Sequence, residues 1–79
     1  MRAIQVRAFW DAEARVWVAE SADVPGLVTE APGVDALKAK LDALIPALLA
    51  ANGRTPAGET LPVELLAEYQ EQLAVSGRR

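Results

Sequence analysis

The sequence predicts an α+β domain of two layers, an antiparallel sheet with one helix packed on one face. Three observations carry that prediction. Residues 34–52, VDALKAKLDALIPALLAAN, repeat apolar side chains at steps of three and four, the period of an amphipathic helix. The segments ahead of them alternate polar and apolar residues with period two. Between those segments stand short polar or Pro/Gly stretches of the kind that turn the chain.

The first strand is expected at about residues 2–10, where Ile4, Val6, Ala8 and Trp10 fall on one side and Gln5 and Arg7 on the other. Asp11-Ala12-Glu13-Ala14 is a hairpin connection; its two acids are read as a solvated turn, since no histidine accompanies them. The second strand, residues 15–21, carries apolar groups on both sides, Val16 and Val18 one way and Trp17 and Ala19 the other. A helix covers only one face of a sheet, so this strand asks for a partner on the second. Val16, Trp17, Val18 and Trp10 are therefore the candidate residues of a partner or dimer interface. Asp23, Pro25 and Gly26 form turn chemistry, with Pro25-Gly26 at the centre of a type II turn. A third strand follows at 27–31, completing a meander.

Gly33 is the expected N-cap of the helix, with Asp35 supplying negative charge to the first turn. Val34, Leu37, Leu41, Leu44 and Leu48 form the expected buried stripe, widened by Ile45 and Leu49. Pro46 removes the amide that would bond the Asp42 carbonyl, which predicts a kink or loosening over residues 42–45. Asn52-Gly53 ends the helix. Residues 61–75 are ambiguous: they consist of helix formers, yet Leu61, Val63, Leu65, Ala67 and Tyr69 alternate as a strand does. Residues 76–79 read as a frayed tail.

Composition removes several functions. The chain of 79 residues reads as one small domain and holds neither cysteine nor histidine, so thiolate chemistry, the usual zinc ligands and every Ser-His or Cys-His pair are missing. No catalytic, cofactor-binding or metal-ligating residues are assigned, and no cofactor is expected. Neither a secretory signal nor a bilayer span is recognisable, which places the expected protein in the cytoplasm. A formal net charge of −3 argues against nucleic-acid binding by this chain and suits a basic partner.

The run W-D-x-E-A-x-V-W-V-A-x-S-x-D-V-P-G-L-V-T-E-A, Trp10 to Ala31, followed by I-P-x-L-L-x-x-N-G, Ile45 to Gly53, resembles a small bacterial family of uncharacterised domains related to HicB-like antitoxins. The D-L-P-G signature of HicB matches Asp23, Val24, Pro25 and Gly26; its later T-x-G-x-T departs, with Ala31 in place of glycine and Gly33 in place of threonine. The resemblance implies a β-β-β-α-β order, a partial ribonuclease-H-like sheet and a fourth strand at about 61–69. It also implies a non-enzymatic interaction module that dimerises and binds a small basic RNA-cleaving toxin. Too few residues follow the fourth strand for the DNA-binding module of HicB systems, so operator binding is not expected. Two alternatives remain: a structural or regulatory homodimer without a toxin, and, last, a metal-dependent nuclease, for which Glu20 and Glu30 would have to meet across strands two and three.

Overall fold

The computed structural model of the chain describes residues 3–54 and 60–75. Its elements run β1 (Ile4–Asp11), β2 (Val16–Glu20), β3 (Val28–Ala31), α1 (Val34–Ala51) and β4 (Val63–Glu68), and the four strands form one sheet in the order β3-β2-β1-β4. The α+β class and the β-β-β-α-β order stand as expected. The expectation of an antiparallel sheet needs correction: β1–β2 and β2–β3 are antiparallel, but β4 lies parallel to β1. The cause is the return path. After three alternating strands, the 18 residues of α1 carry the chain back to the end of the sheet where β1 begins, so β4 runs the same way as β1. Arg2, residues 55–59 of the Pro/Gly loop and the tail at 76–79 lie outside the described residues.

The turns are built as their residues dictate. Asp11 Oδ1 accepts the amides of Glu13 (3.0 Å) and Ala14 (3.2 Å), and the Arg15 amide donates to the Asp11 carbonyl at 2.7 Å. Closing that hairpin puts Arg15 at φ 59°, the left-handed region that L-residues avoid at a cost of about 1–2 kcal/mol. The Leu27 amide donates to the Val24 carbonyl at 3.1 Å with Gly26 at φ 88°, the expected type II turn. At the end of α1, Gly53 adopts φ 77° and the amides of Gly53 and Arg54 donate to the carbonyls of Ala50 and Leu49, closing the last turn.

The core lies between α1 and the sheet. Ile4, Val6 and Ala8 of β1, Ala19 of β2, Ala31 of β3 and the turn residues Val24 and Leu27 meet Leu37, Leu41, Ile45 and Leu49 of the helix. The buried row is thus the i, i+4 line, with Leu44 and Leu48 half-buried beside it and Val34 turned outward at 38% exposure. Each buried leucine or isoleucine contributes about 1.5–3 kcal/mol. The helix is unbroken through Pro46, which lies on the exposed side together with Asp42, so the carbonyl freed by the proline is open to solvent. The small residues Ala36, Ala39, Ala43, Ala47 and Ala50 are exposed, a solvated face of good helix formers.

The backbone of α1 comes close to β3 and β2 only; the β1 residues Ile4, Val6 and Ala8 share the core with its side chains, and Leu65 of β4 packs at the margin of that core. Beyond β4, residues 69–75 form no regular structure and all are exposed. The molecule measures 61 × 24 × 19 Å with a radius of gyration of 16.0 Å. A compact chain of this length has about 12 Å.

Candidate interaction surface

The strand registers decide which residues share a face. Phe9 stands opposite Val18, which stands opposite Glu30; Arg7 stands opposite Glu20 and, on its other side, Leu66. These residues point away from the helix, since their neighbours Val6, Ala8 and Ala19 are the ones buried beneath it. The open face therefore has an apolar centre of Phe9 (43% exposed), Val18 and Leu66 (55% exposed), with Val28 and Val16 toward its margins. Around this centre stand the carboxylates of Glu20, Glu30, Glu64 and Glu68, against one cation among the described residues, Arg7. Arg7 reaches Glu68 at 3.5 Å, and Gln5 Nε2 donates to Glu64 at 3.2 Å.

The four candidate interface residues do not share a face. Val16 and Val18 lie on the open side. Trp10 and Trp17, directly opposed across β1 and β2, lie on the helix side, half-buried. Their rings meet edge to face at 5.6 Å, and Tyr69 completes a trio at 5.7 Å from Trp10 and 6.0 Å from Trp17. Such contacts contribute about 0.5–1.5 kcal/mol beyond area burial. Trp17 also packs on the core, so the apolar character of β2 on that side is used within the chain. The residues that single-strand alternation missed are Phe9 and Leu66. Phe9 falls out of phase with Trp10, and Leu66 sits in the segment whose period was ambiguous.

The Asp23-Val24-Pro25-Gly26 motif has a structural task. The β1–β2 ladder stops at Arg7 and Glu20, and the next main-chain groups of β1 are met by side chains: the Gln5 amide donates to Asp23 Oδ2 at 2.9 Å, and Ser21 Oγ donates to the Gln5 carbonyl at 2.6 Å. Arg54 Nη1 donates to the Asp23 carbonyl at 3.2 Å, and Asn52 Nδ2 to the Pro25 carbonyl at 3.2 Å, tying the turn to the end of α1. Pro46 and Gly53, also singled out in the sequence, act within the helix and its cap. Glu20 and Glu30 share the open face but are diagonal, each facing a valine. Among the described residues no three acids gather to hold a metal ion, and no helix is long and apolar enough to cross a membrane.

The sheet ends in two unlike edges. β3 has four residues, lies between Pro25 and Pro32, and its Glu30 carbonyl accepts from Lys40 Nζ at 2.7 Å. β4 has six, with no proline or lysine inside it. The Ile4 amide donates to the Pro62 carbonyl at 2.8 Å, so alternate residues Glu64, Leu66 and Glu68 turn their main-chain groups toward β1. Val63, Leu65 and Ala67 turn theirs outward. Past this strand, Tyr69, Leu73 and Val75 are 54%, 76% and 79% exposed.

The profile of a domain of unknown function, DUF1902, matches residues 3–76. The chain belongs to the DUF1902 family. Among solved structures, this DUF1902 chain is similar to the hypothetical protein TTHA1013 from the extremely thermophilic bacterium Thermus thermophilus. The two are 50% identical over 94% of this chain and 100% of that one, with a TM-score of 0.68. No curated protein matches the sequence.

Proposed function

We propose that this DUF1902 chain is a non-enzymatic protein-interaction module of antitoxin type, whose open sheet face receives a small basic protein. One observation carries the reading: an apolar centre of Phe9, Val18 and Leu66 rimmed by Glu20, Glu30, Glu64 and Glu68, with Arg7 the one cation on that face among the described residues. An apolar core with a charged rim is the usual anatomy of an interface, and the excess of carboxylates selects a cationic partner and speeds its approach. The HicB-like motif from Trp10 to Ala31 supports a toxin as that partner; kinship with HicB rests on this motif alone. Affinity purification of the tagged full chain from its native host tests the proposal. The expected result is a basic protein retained in equimolar amount, cleaving RNA once separated, and lost with Leu66→Glu. Recovery of the chain with no basic protein overturns the toxin reading. A second reading, self-association without a toxin, is favoured by the free edge of β4.

A further inference from the structure

We propose that β4 pairs antiparallel, edge to edge, with β4 of a second copy of this chain, in a register centred on Leu65. The two edges of the sheet differ in the way this requires. Short length, flanking prolines and a lysine on an edge carbonyl protect β3 from added strands. β4 is longer, carries no lysine on its edge, and has a proline only at its start, Pro62, whose carbonyl faces β1 and accepts the Ile4 amide. The acids of the strand, Glu64 and Glu68, stand on the open face, where they contact Gln5 and Arg7 of β1 and limit which registers a second strand can take. What the edge presents is the main chain of Val63, Leu65 and Ala67, with their apolar side chains on the helix side of the sheet.

The strand is self-complementary in one register. Hydrogen bonding requires outward-turned residues to face outward-turned residues, so the two-fold axis must pass through a residue position. Centring on Glu64 sets its carboxylate against itself, and centring on Leu66 sets Glu64 against Glu68; like charges directly opposed are destabilising. Centring on Val63, Ala67 or Glu68 runs the pairing past an end of the strand. Centring on Leu65 sets Leu65 against Leu65, Val63 against Ala67 and Glu64 against Leu66. Every outward main-chain group of Val63, Leu65 and Ala67 then has a partner, and the helix-side row is apolar across the axis. A dissimilar partner strand would gain the same hydrogen bonds but not this match of large against small and acid against apolar.

This inference rests on the reading of the chain as an interaction module but uses the edge, not the open face. Sedimentation velocity of the full chain over a dilution series is expected to give twice the 8.4 kDa of one chain. Ala67→Pro removes an outward amide that β1 does not use, a substitution edge strands tolerate. It should weaken the dimer by up to about 100-fold, since each of the two copies loses a ladder hydrogen bond. Because the chain has no cysteine, single cysteines report the register whether or not the proline variant folds. Leu65→Cys is expected to cross-link under mild oxidation, since facing residues stand about 5.5 Å apart, and Ala67→Cys is not. A strict monomer at every concentration, or a dimer that links through position 67 and not 65, overturns the pairing. Either result leaves the basic partner of the open face to be judged by its own purification, and linkage at 65 without any captured protein leaves the dimer standing alone.

Discussion

Residues 4–49 and 60–75 contribute to the same sheet and are both rich in apolar side chains, yet they are buried to opposite degrees. All eleven core residues lie between Ile4 and Leu49, whereas the second segment reaches only half-burial, at Leu61 and Leu65. Leu37 is wholly buried and Leu73 is 76% exposed. Side-chain hydrophobicity does not separate them. Position under the helix does: α1 lies over β3 and β2, leaving β4 at the margin with one neighbouring strand and Leu65 alone of its residues packed on the core. The first segment can thus be stable within one chain, while the second leaves its apolar side chains exposed.

Truncating one leucine in each segment is the harshest test of that contrast. Leu37→Ala should lose about 3–4 kcal/mol of unfolding free energy, the transfer term plus the cavity it leaves. Leu73→Ala, measured by urea denaturation below the concentration of self-association, should stay within about 0.5 kcal/mol. Equal losses would mean that the C-terminal segment folds back onto the body. Next in size is Asp23→Ala, which deprives the Gln5 amide of its acceptor and loosens the turn at the head of β1. A loss of about 1–2 kcal/mol is expected, and Asp23→Asn, which keeps a carbonyl oxygen, should recover part of it.

Much of the body was legible in the sequence because each of its signals is local. The three-and-four spacing of leucines gave α1, Pro25-Gly26 gave a type II turn, and alternation from Ile4 gave β1 with its correct inward side. What was not legible depends on pairing. Whether Trp17 faces helix or solvent is fixed by its register with Trp10 and Ala31, and period two marks only that two sides exist. Ser21 and Asp23 serve a main-chain group 16 and 18 residues away, which turn chemistry does not foretell. For Val63–Glu68, helix propensity lost to the free side of β1, whose main chain needed partners; the parallel direction followed from the path of α1. The open-face centre escaped notice because Phe9, Val18 and Leu66 come from three strands.

A gain instead of a loss sharpens the comparison further. Gly33 is the N-cap of α1 without a side-chain bond, its φ of −143° is open to any residue, and a Cβ there would meet nothing within 4 Å. Gly33→Ser should stabilise the fold by about 0.5–1 kcal/mol, through the cap and the lower entropy of the unfolded chain. Hydrogen exchange should slow at the amides of α1 and β1 and stay unchanged over residues 70–75, if cover by the helix is what distinguishes the segments.

The smallest effect lies where the two segments touch, at Tyr69, whose ring meets Trp10 and Trp17. The Glu71 carboxylate beside it raises its pKa above the ordinary value of 10, chiefly by accepting the phenol's hydrogen bond, then through burial and negative charge. The sign for stability follows: between pH 10 and the raised value, the unfolded chain has released this proton and the folded chain has kept it. Stability from this contact is therefore complete below pH 10 and is lost as pH climbs through the folded-state value. Because the chain has a single tyrosine, absorbance at the phenolate band reports this group alone. The midpoint should lie above 10 and return toward it with Glu71→Gln. A midpoint at 10 in the unaltered chain would show that the Tyr69–Glu71 contact is not held in solution, and the ordered part of the second segment would then end with β4.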